Sequence, residues 1–109
     1  MREISLQDLT ENGDVRNLAG YERGRAAREK YQLDDFDRTG EKVYIVIPDD
    51  VYTITVPFFL GMVFESVHKA GSWENFLNKF KFDAPVALLR QIDRGVRSSL
   101  MKRDSASAA

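Results

Sequence analysis

Four polar residues lie where an apolar strand meets the start of an apolar helix, and they are the residues whose types and spacing could do chemistry. Asp49 and Asp50 follow the run VYIVIP, and Thr53 and Thr55 precede the run VPFFLGMVF. Residues in such a position project into solvent from a rigid base. Carboxylates there can bind a cation or accept hydrogen bonds from a partner, and threonine hydroxyls can be phosphorylated. Residues 49–57 are therefore the candidate functional loop, called the 49–57 loop below.

Metal binding and catalysis are disfavoured by the residue types available. Neither the aspartate pair of this loop nor the Asp-rich stretch at residues 34–37 has the alternating ligand spacing of a calcium loop, and adjacent aspartates are typical of a solvated turn. The chain has no cysteine and one histidine, His68, which excludes a thiolate nucleophile and any site that needs two imidazoles. No set of nucleophile, base and orienting group can be identified around His68, although a loop carboxylate acting as a base stays open. We predict no metal, no cofactor and no enzymatic activity.

A basic segment at residues 16–30 offers a second kind of chemistry. Arg23, Arg25 and Arg28, flanked by two tyrosines, could hold a phosphate-bearing ligand or a nucleic-acid strand by charge and stacking. Two glutamates interrupt the segment, which favours a solvated helix face instead. The formal net charge of -1 gives no general attraction to nucleic acid or anionic lipid. Anion binding by the three arginines is therefore the alternative hypothesis, and nucleic acid is a disfavoured ligand.

Length and composition indicate a single globular domain. The chain has 109 residues, of which 43% are apolar and 30% are charged, as in ordinary soluble proteins. We assign residues 1–103 to one domain and residues 104–109 to a flexible polar tail. The sequence contains no signal-peptide pattern and no apolar run long enough to cross a bilayer, so no membrane association and a cytoplasmic location are predicted.

The amino-terminal elements follow from apolar spacing and turn residues. Alternation predicts a short strand at residues 2–6, and the Asn-Gly dipeptide within residues 11–14 is a hairpin signal. Residues 15–18 would then return as a second strand. Good helix formers and small residues predict an amphipathic helix at residues 20–33, which packs through its small residues. The polar stretch at residues 34–40, which ends in glycine, indicates a loop.

The central elements position the 49–57 loop. The β-branched and aromatic run at residues 43–47 is typical of a central strand covered on both faces. A few extended residues at 51–55 lead to a largely buried helix at residues 58–69, with Thr55 or the residue after it as the cap. Gly71 ends this helix.

The carboxyl-terminal third continues the same alternation of strand and helix. Ser72 is expected to cap a short helix, and residues 80–82 alternate as a strand does. Asp83 is expected to cap a final helix with an apolar stripe through residues 86–100. Trp73, at a junction between a loop and a helix, is the aromatic residue predicted to be partly exposed.

Three segments carry a resemblance to a known family. They are GRAAR at residues 24–28, IPDDV at residues 47–51 and ITVPFFLG at residues 54–61. Together with the surrounding elements over residues 20–100, they resemble the STAS-like domains of bacteria and mobile elements, in particular small single-domain members. The resemblance implies an α/β fold with a small mixed β-sheet flanked by helices.

The same resemblance implies a regulatory role. In the better-known STAS proteins, the anti-sigma-factor antagonists, a partner kinase phosphorylates a serine at the corresponding helix start. This chain has Thr53, Thr55 and Val56 there, so both threonines are candidate phosphorylation sites, although strand propensity and capping are the favoured explanation of these threonines. The implied function is non-catalytic binding of a kinase-like ATPase or another signalling protein by Asp49, Asp50, Thr53, Thr55 and the exposed face of the next helix. A homodimer stays open as an assembly.

Overall fold

Strands and helices alternate along the chain in the computed structural model, which describes the backbone of residues 2–11 and 15–108 and the side chains of residues 2–11 and 15–100. The strands are β1 (Arg2–Ser5), β2 (Asn17–Leu18), β3 (Val43–Val46), β4 (Thr53–Ile54) and β5 (Phe80–Asp83). The α-helices are α1 (Tyr21–Lys30), α2 (Leu33–Thr39), α3 (Val56–Ala70), α4 (Trp73–Lys79) and α5 (Val86–Ala108). A short 3-10 helix, Leu6–Thr10, follows β1.

The fold is α/β, as predicted, but its strands pair differently from the prediction. β3 lies in the middle of a three-stranded sheet in the order β1–β3–β5, with Ile4 opposite Ile45 and Ile45 opposite Phe82. β2 and β4 form a separate two-stranded sheet. Every pairing within the described ranges is parallel, so the predicted mixed sheet is wrong. Parallel neighbours need crossover connections, and the segments containing α1 and α2, and α3 and α4, supply them.

The predicted amino-terminal hairpin is wrong for the strands that the structure describes. β1 pairs with β3, and β2 pairs with β4, so β1 and β2 are not partners. Leu6, predicted to end the first strand, begins the 3-10 helix and is fully buried. The Asn12-Gly13 dipeptide that carried the hairpin signal lies outside the described residues. Long-range pairing with β3 buries Ile4 against the core, and that burial outweighs a local turn preference.

The loop predicted at residues 34–40 is wrong over most of its length, because Leu33–Thr39 forms α2. Leu33 and Phe36 are buried on one side of this helix. Asp34 and Asp37, on another side, accept hydrogen bonds from the guanidinium group of Arg28. Tertiary contacts therefore hold a segment whose composition favours a loop.

The helix α3 is the buried centre of the fold, as its apolar sequence predicts. Thr55 is its N-cap, since the Oγ1 atom accepts a hydrogen bond from the backbone N–H of Phe58 at 3.3 Å. Gly71 ends the helix in the left-handed conformation, with φ of 93°. Both predicted ends are confirmed.

Two glycines allow α1 and α3 to touch backbone to backbone. A Cβ atom added to Gly24 would lie 2.0 Å from the carbonyl oxygen of Phe58. A Cβ atom added to Gly61 would lie 2.2 Å from the carbonyl oxygen of Tyr21. Side chains at either position would force the helices apart, so the contact requires glycine on both sides.

Three smaller predictions are also corrected. β3 is covered unequally, because Val43 and Ile45 are buried whereas the alternate residues are half-buried. Trp73 is only 5% exposed, because its ring packs against those of neighbouring phenylalanines and its Nε1–H donates to Asp93 at 2.7 Å. Asp83 is the last residue of β5 rather than a cap, since α5 begins three residues later.

The final helix includes the backbone of residues 104–108, whose predicted flexibility stays a prediction. Within the described part of the chain, no helix is long and apolar enough to span a bilayer.

Candidate functional site

The 49–57 loop is held in place by two buried side chains and by backbone hydrogen bonds. Val51 and Ile54 are buried in the core, so their side chains fix the loop at two points. The backbone N–H of Tyr52 donates to the carbonyl oxygen of Arg16 at 2.8 Å. The backbone N–H of Thr55 donates to the carbonyl oxygen of Leu18, at the end of β2, at 2.9 Å. A segment with buried side chains and paired backbone groups is a rigid base for the residues that point outward.

Tyr52 is the residue that this base presents to solvent. The residue is 67% exposed. The guanidinium group of Arg16 lies 5.4 Å from the centre of the tyrosine ring, and its Nη1 atom donates to the Tyr52 hydroxyl at 3.2 Å. The cation–π contact and the hydrogen bond together hold an exposed aromatic ring in one position.

Sequence analysis located the loop but missed Tyr52. Val51 before it and Ile54 after it are both buried, whereas Tyr52 is exposed. The partner that marks Tyr52 is Arg16, which is distant in sequence, so no local signal identified it.

The four predicted partner-binding residues are not equally accessible. Asp49 is exposed, whereas Asp50, Thr53 and Thr55 are half-buried. Thr53 lies in β4, and the Oγ1 atom of Thr55 accepts two backbone N–H groups, at 3.3 and 3.4 Å. Of the described residues, none donates a hydrogen bond to the buried Oδ1 atom of Asp50. Phosphorylation of the threonines stays a prediction, and the capping role of Thr55 is what the hydrogen bonds explain.

Little of α3 is available to a partner. Its exposed residues are Pro57 at its start and His68 and Lys69 near its end, and the others are buried or half-buried. The surface available to a partner in this region is therefore mainly the 49–57 loop. The exposed helix face that was predicted to share in binding is small.

A second polar site lies inside the fold, around Arg28. The side chain of Arg28 is only 3% exposed. Its Nε and Nη2 atoms donate to Asp34 at 3.1 and 2.6 Å, and Nη2 also donates to Asp37 at 2.6 Å. Its Nη1 atom donates to the carbonyl oxygen of Met62 at 2.9 Å and to the hydroxyl of Ser66 at 2.8 Å. All five N–H groups of the guanidinium therefore have acceptors within the protein.

Asp37 is the buried carboxylate of this network. Its side chain is 3% exposed, and its Oδ2 atom accepts the Ser66 hydroxyl at 2.8 Å as well as Arg28. The ammonium group of Lys79 lies 4.0 Å from the other oxygen. The network joins α1, α2, α3 and α4, so it is placed to fix how these helices pack.

The outer carboxylates of the network are held in their charged form. A hydrogen bond from Arg28 keeps the pKa of Asp34 below its usual range. A hydrogen bond from Arg25, at 2.5 Å, likewise lowers the pKa of Glu65. Both carboxylates are largely solvated at their outer edges, so their contribution to stability is modest.

The three arginines predicted to bind an anion do not form one site. Arg28 has no free N–H group, and Arg25 is paired with Glu65. Arg23 makes no ion pair or hydrogen bond with any described residue, and it lies on the wall of a groove between α1 and the 3-10 helix. Two of the three arginines that suggested an anionic ligand therefore pair with carboxylates of the protein itself.

In the described part of the chain, no three or more histidine, aspartate or glutamate side chains are placed to hold a metal ion. The Ser66 hydroxyl is buried and donates to Asp37, so a substrate could not reach it. His68 stacks on the ring of Phe64 at the surface. No protein-family model, curated protein or solved structure matches this chain.

Proposed function

We propose that this chain is a non-catalytic regulatory domain that binds a protein partner through the 49–57 loop, with Tyr52 and Arg16 as the anchor. The proposal retains the STAS-like relationship expected from the sequence. By that relationship, the partner is a kinase-like ATPase or another signalling protein in the cytoplasm. The observation that carries the proposal is an exposed tyrosine ring held by an arginine on a rigid base.

Tyrosine and arginine are the residue types found at the energetic centres of protein interfaces. A tyrosine ring supplies a large contact area with few rotatable bonds, so it loses little conformational entropy on binding. Arg16 already restricts this ring before a partner arrives, which lowers that cost further. The exposed Asp49 adds a carboxylate beside the aromatic anchor.

A non-catalytic role agrees with the chemistry of the same surface. The loop offers the carboxylates of Asp49 and Asp50 and the phenol of Tyr52, and residues 49–57 contain no histidine or cysteine. Thr55, the nearest hydroxyl at the helix start, already accepts two backbone N–H groups. These groups are suited to recognition rather than to proton transfer.

The test is a quantitative pull-down from cells of the source organism, comparing the wild-type chain with a Tyr52→Ala variant. Loss of a central interface residue typically costs about 2 kcal/mol or more of binding free energy, so the affinity for the partner should fall by about 30-fold. Recovery of the partner should fall with it. Tyr21→Ala is the matched control, because Tyr21 is also an exposed tyrosine but lies on α1. Recovery of every partner by a folded Tyr52→Ala variant would reject the proposal.

Tyr52→Ala is a cleaner variant than an alanine substitution of the loop threonines. Thr55→Ala would remove the cap of α3 and cost about 0.5–2 kcal/mol of stability. Loss of binding in that variant could then arise from unfolding. Among the described residues, the Tyr52 side chain makes its hydrogen bond and its cation–π contact with Arg16, and the residue is 67% exposed, so its removal should leave the circular dichroism spectrum and the melting temperature unchanged.

A further inference from the structure

The helix α5 has a face that the rest of the described chain leaves uncovered. Leu88, Ile92 and Val96 recur every four residues and pack into the core. The opposite side faces solvent through at least three turns. The exposed residues are Val86, Ala87, Arg90, Gln91, Arg94, Arg97 and Ser98.

Two arginines on this face have no charged or hydrogen-bonding partner among the described residues. Neither Arg90 nor Arg94 makes an ion pair or hydrogen bond with a residue within the described ranges. Arg97 differs, because it donates to Glu74 at 2.7 Å and to Asp93 at 3.1 Å. The two unpaired arginines are four residues apart, which separates them by about 6 Å along the helix axis.

An exposed apolar residue continues the same face. Val86 is 63% exposed and lies one helical turn before Arg90. A valine and two unpaired arginines therefore follow each other along three successive turns, with no carboxylate among the exposed residues of the stripe. Such a face is complementary to a surface that offers an apolar residue and two carboxylates at the same spacing.

We propose that this face of α5 is a second interaction surface, which binds an acidic amphipathic helix of a partner protein. Two carboxylates one helical turn apart on that helix meet Arg90 and Arg94, and an apolar side chain one turn away meets Val86. The inference goes beyond the loop function, since neither Tyr52 nor Arg16 takes part in it.

The observations favour a protein over a nucleic acid as the occupant. Nucleic-acid affinity grows with the number of phosphates neutralised, and residues 86–98 of this face offer two cations without a partner among the described residues. The carboxylates of Glu74 and Asp93 neutralise the third arginine and would repel a polyphosphate. The exposed Val86 has no counterpart on a phosphate backbone, and the whole chain has a net charge of -1.

The proposal is tested with a designed helical peptide that carries two glutamates four residues apart and a leucine one turn away. The peptide is titrated into the isotope-labelled full chain at low ionic strength, and backbone amide shifts are followed by NMR. We expect shifts confined to residues 86–98. Exposed ion pairs are worth about 0.2–1 kcal/mol each, so an R90E/R94E variant, which loses two of them, should bind about 2- to 30-fold more weakly. A peptide with lysines in place of the glutamates should restore binding to that variant.

Matched controls separate this surface from general charge effects. An R23E/K30E variant changes the net charge equally, at two unpaired cations of α1, and should bind the glutamate peptide as the wild type does. A Tyr52→Ala variant should also bind it normally, so the loop and α5 proposals can fail separately. Equal losses in R23E/K30E and R90E/R94E, or no shifts in residues 86–98, would overturn the proposal. Tighter binding of a DNA duplex than of the peptide to this face would overturn it in favour of a nucleic acid.

Discussion

Replacement of Arg28 by alanine is expected to destabilise the fold severely. The change removes five N–H donors that join α1 to α2 and α3. It also leaves the carboxylate of Asp37, with a side chain only 3% exposed, without its nearest positive charge. A buried charge that loses its partner retains the cost of its desolvation and loses the interaction that offset it.

The size of the stability loss depends on which of the former hydrogen-bond acceptors of Arg28 can be hydrated in the variant. Asp34 has a side chain that is 65% exposed, so it can be rehydrated and adds little to the loss. Asp37 cannot, and Lys79 at 4.0 Å offsets only part of its charge. Breaking a buried pair typically costs about 3–5 kcal/mol, against a total stability of roughly 5–15 kcal/mol. For a domain of this size each kcal/mol corresponds to about 4 °C, so the melting temperature should fall by about 12–20 °C.

The assay is urea unfolding followed by the fluorescence of Trp73, the single tryptophan, which is buried against Phe59 and Phe76. A thermal melt by circular dichroism gives an independent midpoint. Arg38→Ala is the matched control, because Arg38 is an exposed arginine of α2 that pairs with Asp35. Its loss should change stability by no more than about 0.5 kcal/mol.

A double variant separates the buried charge from the loss of side-chain volume. In Arg28→Met with Asp37→Leu, both partners become apolar, and such replacements are often neutral or stabilising. The double variant should therefore recover much of the stability that Arg28→Ala loses. The reasoning is refuted if Arg28→Ala unfolds within about 1 kcal/mol of the wild type. If the double variant is as unstable as Arg28→Ala, the unpaired buried charge of Asp37 is not the cause of the destabilisation.

Two further changes test contacts elsewhere in the fold. Gly24→Ala should lower the free energy of unfolding by about 3 kcal/mol or more, because the new Cβ atom would lie 2.0 Å from a backbone oxygen. Gly95→Ala is the comparison, since its Cβ atom would meet a methyl group of Val56 at 2.3 Å. Adding Val56→Ala should relieve that clash and restore the melting temperature. A wild-type melt for Gly24→Ala would contradict the close helix contact. Tyr31→Phe should stabilise the fold by about 1 kcal/mol, because it removes a buried hydroxyl that has no partner among the described residues. Burial, with the charge of Asp8, raises the pKa of Tyr31 from 10.0 to about 12, so the folded state holds this proton more tightly than the unfolded state. The wild type should therefore lose stability as the pH rises from 10 towards 12, and Tyr31→Phe should lose less over that interval, as alkaline unfolding curves would show.

The parts of the fold that the sequence predicted well are those with strong local signals. The run at residues 43–47 gave the central strand β3, and Thr55 and Gly71 gave the ends of α3. The expectation that small residues pack the first helix was confirmed at Gly24. In each case the residue type has few alternative uses, so local chemistry decides the structure.

The parts that were missed depend on residues distant in sequence. Nothing local marks Arg28 as buried, because its acceptors come from α2 and from Ser66 on α3. The same network makes the Asp-rich α2 a helix, although Leu33 and Phe36, three residues apart, were a local hint. The pairing of β1 with β3 rather than with β2 is likewise a choice between distant partners. A single sequence does not weigh such alternatives.

The candidate site was predicted as a region rather than as a set of side chains. The position of the 49–57 loop follows from the strand and helix that flank it, and Asp49 is exposed as expected. Tyr52 could not be selected over the threonines from sequence alone, because its importance comes from Arg16, 36 residues earlier in the chain.

The strand order β1–β3–β5 also sets when the protein can fold. The middle strand needs partners that lie far before and far after it in sequence, Arg2–Ser5 on one side and Phe80–Asp83 on the other. Contacts between distant segments slow folding, since long stretches of chain must be ordered before the pairing is gained. During synthesis, β3 therefore leaves the ribosome with one edge unpaired until β5 follows. A nascent chain that ends before residue 80 is therefore expected to present the unpaired backbone N–H and C=O groups of β3, which favours chaperone binding or aggregation over folding.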